Sequence, residues 1–215
     1  MSDDLPKIAI LGGTGDLGSG LAKRLLAAGY GVTIGSRSRE KAQAFAATLG
    51  AHARGADMRG ATMAGDVVIL SVPWASHGET LAEIHDLVQG KILLDAVVPL
   101  VPPKVATVQL PKEGSAAQIA QELLGEGVRV ISAFHNIGAA KLHAGEPIEC
   151  DVLVCGNDKD ARELGIALAN AVGATGIDAG VLANSAAVEA MTSVLIGINR
   201  RYKVKSAGVK ITGLS

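Results

Sequence analysis

The chain has 215 residues and a formal net charge of -1, so it carries no global basic field for nucleic acid. Apolar residues at 48% and a mean hydropathy of +0.33 supply core for one large domain, or one with an appendage; no uninterrupted apolar stretch approaches the roughly 20 residues that span a bilayer. The short acidic start, Met1-Ser-Asp-Asp-Leu-Pro6, does not read as a signal peptide, and Cys150 and Cys155, five apart at a predicted strand, face opposite ways and read as buried reduced thiols. The expectation is a soluble cytoplasmic protein with neither a nucleic-acid nor a membrane partner.

In chain order, an apolar run at 7–11 predicts a strand, and Gly12-Gly-Thr-Gly-Asp-Leu-Gly18 leads from it into a helix over 17–28. Gly13, Gly15 and Gly18 have the G-x-G-x-x-G spacing of a dinucleotide turn. The first glycine permits the tight turn, the second lets backbone approach a pyrophosphate, and the third lets helix pack on strand. N–H groups at the start of that helix then face the phosphates. The spacing alone is weak in a chain with 27 glycines; the strand before it and the helix after it make it strong. A second strand over 31–35 ends in Ser36 and Arg37, and a helix over 38–49 opens with Arg39 and Lys41. An NAD site carries Asp or Glu near this strand end to bind the ribose hydroxyls, whereas here Glu40 is the nearest acid. Basic groups in a first helical turn oppose the helix dipole. A bound anion, the 2′-phosphate of NADP, explains them better than a solvated surface does.

Further strands are predicted at 66–72, 91–97, 128–133, 151–155 and 174–178, and further helices at 76–87, 115–125, 158–172 and 182–202. Gly29 and Gly50 are candidate C-caps, and Ser115 and Asp158 candidate N-caps. The strands are short, rich in Val and Ile and not alternating, as expected where both faces are covered. This alternation of strand and helix predicts an α/β fold, a doubly wound Rossmann-type parallel sheet with right-handed crossovers. Residues 1–180 form the NADP-binding domain in this reading, and 181–215 a short C-terminal helix and tail, to which the family resemblance given below adds closure of the cofactor cleft and a dimer contact. Ligands of such sheets sit beyond the carboxyl ends of the strands. The candidate site therefore comprises 12–18, 36–41, 72–77, 97–102 and 134–139. Three of these five segments are apolar or proline-bearing where an exposed loop is normally polar, which fits flat rings packing there. Trp74 is conspicuous in a chain with only 2% aromatic residues.

Acid–base machinery is sparse. A dehydrogenase acting on an alcohol needs Lys, Tyr or His near the nicotinamide as a base, and neither Tyr30 nor Tyr202 has Lys four residues later. His77 and His135 are the histidines at strand ends, each readable as a satisfied structural residue or as a catalytic group. His52, His85 and His143 fall on predicted helical or loop surface. Hydride transfer between two redox cofactors suits such a site, because both partners carry the chemistry and the protein supplies alignment and water exclusion.

Taken together, Gly12-Gly-Thr-Gly-Asp-Leu-Gly18, Gly35-Ser-Arg37 with Lys41, Val72-Pro-Trp74, Pro99-Leu-Val-Pro102, Ser132-Ala-Phe-His135 with Ile137, and Asp178-Ala-Gly180 followed by Asn184-Ser185 resemble the NADPH-dependent reductases of coenzyme F-420, a 5-deazaflavin. The resemblance runs in order through nearly the whole chain, to Gly208-Val-Lys-Ile211. It implies reversible hydride exchange between the nicotinamide and deazaflavin rings, and a homodimer. Residue by residue, it implies that Thr14, Gly15, Asp16 and Leu17 lie against the pyrophosphate and that Ser36, Arg37 and Lys41 hold the 2′-phosphate. Val72, Trp74, Leu100 and Ala139 would line the adenosine or nicotinamide half. His135 and Ile137 would border the stacked rings as the catalytic pair, and His77 and Ala207 complete the cofactor-binding candidates. One departure is Gly138, where some relatives carry proline, which implies a looser loop. The basic end formed by Arg200, Arg201, Lys203, Lys205 and Lys210 either complements the helix terminus or meets the anionic tail of F-420.

The same nucleotide-binding architecture serves pyrroline-carboxylate reductases, imine reductases and the cytoplasmic domains of membrane metal reductases. Imine reductases build their substrate cleft with a long C-terminal helical domain, for which residues 181–215 are too short. Membrane metal reductases need spanning helices. An NADP-sensing module without catalysis is the alternative from another class, and an NADPH-dependent flavin or imine reductase is the alternative enzyme. The apolar strand-end loops, which offer a pocket for a second ring, count against a sensor.

Overall fold

The structure, a computed structural model, describes residues 5–145 and 147–214, so Met1 to Asp4 of the acidic start lie outside the described residues. From β1 (Ile8–Leu11) the chain passes through α1 (Asp16–Ala27) to β2 (Val32–Gly35), α2 (Arg39–Ala47), β3 (Ala53–Ala56) and α3 (Met58–Ala64). It continues through β4 (Val67–Leu70), α4 (His77–Ile84), β5 (Ile92–Asp95), α5 (Ala116–Leu124) and β6 (Arg129–Ser132). The last elements are α6 (Ala139–His143), β7 (Asp151–Gly156), α7 (Lys159–Ala171), β8 (Thr175–Asp178) and α8 (Ser185–Tyr202). The eight strands form one sheet in the order β3-β2-β1-β4-β5-β6-β7-β8. This order reverses between β1 and β4, where doubly wound sheets open a crevice for ligands.

The apolar runs become central strands because both their faces are covered. Every residue of β1, β4 and β5 is buried. Ile8 and Ile10 pack with Leu21, Leu25 and Leu168 in the layer of α1 and α7, while Ala9 and Leu11 pack with Leu81, Ile84 and Leu124 in the layer of α3, α4 and α5. Helix boundaries follow local chemistry. Ser115 and Asp158 accept hydrogen bonds from Gln118 and Ala161 N–H at 3.0 and 2.8 Å, which satisfies otherwise orphaned donors. Among the described residues no helix is long and apolar enough to cross a membrane. Cys150 and Cys155 are both buried free thiols.

The fold departs from the sequence expectation at β3 and α3, at the short helix α6 and in the direction of β7. β3 and α3 occupy the stretch between the second predicted helix and the next predicted strand. β3, with the sequence Ala-Arg-Gly-Ala, lacks the branched residues that signal a strand and lies at the sheet edge. The sheet is also not wholly parallel, because β6 and β7 pair antiparallel. The cause is α6, five residues long and fastened to α1. Arg24 donates from Nε to the Leu142 carbonyl at 2.9 Å and from Nη2 to the Lys141 carbonyl at 3.0 Å, and His143 Nε2 lies 2.9 Å from the Asp16 carbonyl. Asp16 opens α1 at the carboxyl end of β1, the end at which β6 also finishes. The chain therefore stays at that end and enters β7 running the other way.

α8 is fixed to the sheet layer by one buried acid. Glu189 is 0% exposed, and its carboxyl oxygens accept from Ala116 and Ala117 N–H at 2.7 and 3.1 Å, at the start of α5. Burial pushes its carboxyl up from 4.5 to about 8 against the pull of those N–H groups. A folded value above the unfolded one gives stability that is complete below about pH 4.5 and is lost as the pH rises through about 8. Stability of the wild type against urea should thus fall between pH 5 and 9, and Glu189→Gln should reduce that drop by on the order of 1–3 kcal/mol. Parallel pH profiles for the two proteins would mean that Glu189 is ionised throughout.

Candidate active site

The glycine turn after β1 is built by close contact. Gly12, with φ +81, is the residue in the left-handed region, so the tight turn belongs to it and not to Gly13. A Cβ on Gly18 would stand 2.6 Å from both the Gly12 carbonyl oxygen and Ser71 Oγ. Glycine there lets α1 start directly on the ends of β1 and β4. Gly15 is the N-cap of α1, and no side chain caps it. The first N–H groups of the helix are left for an acceptor in the cleft, and Thr14, Gly15 and Asp16 are exposed around it.

At the end of β2, Ser36 and Arg37 line the same cleft. Ser38 caps α2 through Lys41 N–H, which sets Lys41 in the first turn of that helix. Neither Arg37 nor Lys41 has an ion-pair partner among the described residues. A hydrogen bond from its own backbone N–H, and then one from Ser38, whose Oγ donates to its carboxylate at 3.0 Å, hold the Glu40 carboxyl below the ordinary range. A phosphate meets the free cation of Arg37 in the cleft, with Lys41 outside the lining in the first turn of α2, and a ribose hydroxyl meets no free carboxylate at this strand end. Arg37→Ala should weaken NADPH by about 1.5–3 kcal/mol, the worth of a charge-assisted phosphate contact, and leave NADH almost unchanged when both are titrated. Equal losses would make Arg37 structural.

The opposite half of the cleft is apolar. Trp74 lies with its ring centroid 5.3 Å from that of His77. His77 is buried beneath it, with Nε2 2.7 Å from Asp95 Oδ2, and Asp95 Oδ1 accepts from Val97 N–H at 2.9 Å. This buried pair joins the start of α4 to the end of β5 and supports the Trp74 wall. Val97, Leu100, Pro102 and Val105 face it from the excursion after β5. After β6, Phe134 is buried at φ 69, a left-handed conformation that an aromatic residue rarely adopts. That turn sends His135 and Ile137 toward the cleft, which measures about 780 Å³. Thr192 Oγ1 of α8 donates to the His135 carbonyl at 2.9 Å and braces the loop from behind. Burial drives the His135 imidazole down to about 4, opposed by the Asp95 charge and by a backbone hydrogen bond at Asp95, and both ring nitrogens are buried. A buried neutral imidazole beside an apolar slot places no charge against a flat ring that packs there.

The cleft is lined by Thr14, Gly15, Asp16, Leu17, Ser36, Arg37, Val72, Trp74, Leu100, His135, Ile137 and Ala139, twelve of the residues singled out from sequence. Gly13 and Gly18 are buried beneath the turn. Lys41 and Ala207 do not line it, and neither does His77, which acts through Trp74. Ala207 N–H is bound to Asn199 Oδ1 at 2.8 Å. Gly138 is not a loose point. A Cβ there would lie 2.8 Å from Ser206 Oγ, so glycine admits the returning C-terminal segment. His143 belongs to the α1–α6 contact described above. Thr192 was not foreseen because its partner is 57 positions away, and Asp95 because a carboxylate that ends a strand reads as solvated; Phe134 stood in the predicted segment without its left-handed turn. Of the basic end, Lys210 faces Asp151 at 3.5 Å, while Arg200, Arg201, Lys203 and Lys205 are exposed.

A glycine turn, free cations at the end of β2 and an apolar slot at the switch point define a dinucleotide-binding oxidoreductase of Rossmann type. Residues 7–99 match the family described as NADP oxidoreductase, coenzyme F420-dependent. The F420-dependent NADP reductase of Methanocaldococcus jannaschii is 41% identical over 97% of this chain and 99% of its own length. That of Methanothermobacter thermautotrophicus is 42% identical over 97% of this chain and 95% of its own. A crystal structure from Arthrobacter, named only provisionally as an F420-dependent NADP reductase, superposes with a TM-score of 0.82 over 97% of this chain and all of that one; at 23% identity it shows the shared fold. The chain belongs to the family of F420-dependent NADP reductases.

Proposed function

We propose that this protein exchanges a hydride between NADP(H) and coenzyme F-420, with both rings held in the cleft at the strand ends. The observation that carries this reading is His135: buried and neutral, beside the apolar wall of Trp74, Leu100 and Ile137. The two rings supply the redox chemistry when bound. The backbone of Gly15 to Leu17 binds the pyrophosphate, and Ser36, Arg37 and Lys41 bind the 2′-phosphate. Trp74, Leu100 and Ile137 exclude water and stack the rings at transfer distance. His135 orients a polar ring edge and moves no obligatory proton; solvent supplies the proton that accompanies reduction.

Residues 1–180 serve in this reading as the NADP-binding domain, and 181–215 as a helix and tail that complete the cleft. The resemblance to the family also supports a cytoplasmic homodimer. The exposed Met191, Val194, Ile198 and Tyr202 of α8 supply an apolar stripe for a second copy to cover. His135→Ala should lower turnover by about tenfold to a hundredfold through misalignment without abolishing it. The rate should also show no inflection near pH 6.5 that His135→Ala removes, because the imidazole is already neutral there. Complete loss of turnover with both binding constants intact would make His135 the acid. Tight NADPH binding with no hydride exchange with any deazaflavin or flavin would make the protein a sensor.

A further inference from the structure

At its start, β7 lacks a strand partner on one side. β6 meets it only at Ile131 with Gly156 and Ser132 with Cys155, and the segment beyond α8 fills the gap. Lys203, in the left-handed conformation, ends α8 and turns the chain back. Asp151 N–H then donates to the Val209 carbonyl at 2.8 Å. The Asp151 side chain is 2% exposed; its Oδ2 accepts from Ile211 N–H at 2.6 Å, and its Oδ1 lies 3.5 Å from Lys210 Nζ. Both side-chain partners come from the returning tail. A buried carboxylate is tolerated only when paired, so this acid and the tail depend on each other.

The tail in turn rests on the loop after β6. A Cβ on Gly138 would meet Ser206 at 2.8 Å, and one on Gly208 would meet Cys150 Cβ at 2.6 Å. Glycine at both places allows the tail to wedge between β7 and the loop that carries His135 and Ile137 into the cleft. We propose that Asp151, which does not itself line the cleft, is a positioning residue for the second ring: by latching 206–211 it holds the 134–138 loop in place. The proposal rests on the reading that this loop borders the deazaflavin.

The test compares Asp151→Ala, Asp151→Asn and Ile211→Pro, the last deleting the N–H donor from the tail. Amide exchange, NADPH affinity and F-420 kinetics are measured on each full-length protein. For Asp151→Ala, exchange at 207–211 and 134–138 should accelerate and KM for F-420 should rise about tenfold. NADPH affinity should stay within about twofold. Ile211→Pro should reproduce this, Asp151→Asn should fall between, and the Asp151→Ala/Ile211→Pro double variant should be no worse than either single one. Unchanged exchange at 207–211 in both single variants overturns the latch. Faster exchange with an unchanged KM for F-420 overturns the positioning role by showing that the loop does not border the second ring. An equal loss of NADPH affinity overturns it as a general defect. If Asp151→Ala does not fold, Ile211→Pro decides by the same measurements.

Discussion

The close approach of Gly12, Gly18 and Ser71 is the contact on which the rest of this molecule depends. Ser71 N–H donates to the Leu11 carbonyl at 2.9 Å and its Oγ to the same oxygen at 3.0 Å, which ties the end of β4 to the end of β1. α1 then begins on that junction with no room for a side chain. Because the strand order reverses between β1 and β4, the chains leaving these two strands diverge, and the cleft opens above the place where their ends are joined. Phosphate binding at the helix start and ring packing at Val72 and Trp74 are two consequences of one packing constraint.

The second half of the sheet closes the other side of that cleft. α6 is held at the carboxyl end of β1 by Arg24 and His143, which reverses β7 and leaves its first residues open to the C-terminal tail. Glu189 anchors α8 on α5, and Thr192, one turn further along α8, braces the His135 loop. The loop is thus supported from α8 and from the tail, while Phe134 stores a local strain that places His135 in the slot. Buried acids recur at these joints. Asp95, Asp151 and Glu189 each lie inside the fold; Asp151 and Glu189 through backbone N–H groups, and Asp95 through the His77 ring, tie separate segments to one another more firmly than apolar contact alone.

The nucleotide half of the site was legible in the sequence because it is local. Strand, glycine turn and helix follow one another within residues 7–28, and Ser36 and Arg37 stand at the end of the next strand, so spacing alone brings them together. β3 and the reversal of β7 were not legible. β3 has no hydrophobic signature, and the direction of β7 is decided by a contact between Arg24 and residues 117 and 118 positions further on. Two of the buried acids were hidden for the same reason. Glu189 meets its partners 72 and 73 positions away and Asp151 meets Ile211 60 positions away, and a carboxylate in a helix or strand otherwise reads as a solvated residue. Lys41 came from its place in the first turn of a predicted helix and Ala207 from family resemblance, and neither source carries where a side chain or backbone group is committed in this fold.

Hydride passing directly between stacked rings, with a neutral His135 as an aligning group, is the central claim. It is tested by reducing F-420 in ordinary water with NADPH deuterated at both C4 positions of the nicotinamide. One deuterium per turnover should appear bound to carbon in the reduced deazaflavin, with none released to solvent. Solvent hydrogen at that carbon would contradict direct transfer and would require a protein group or water to carry the atom between the rings.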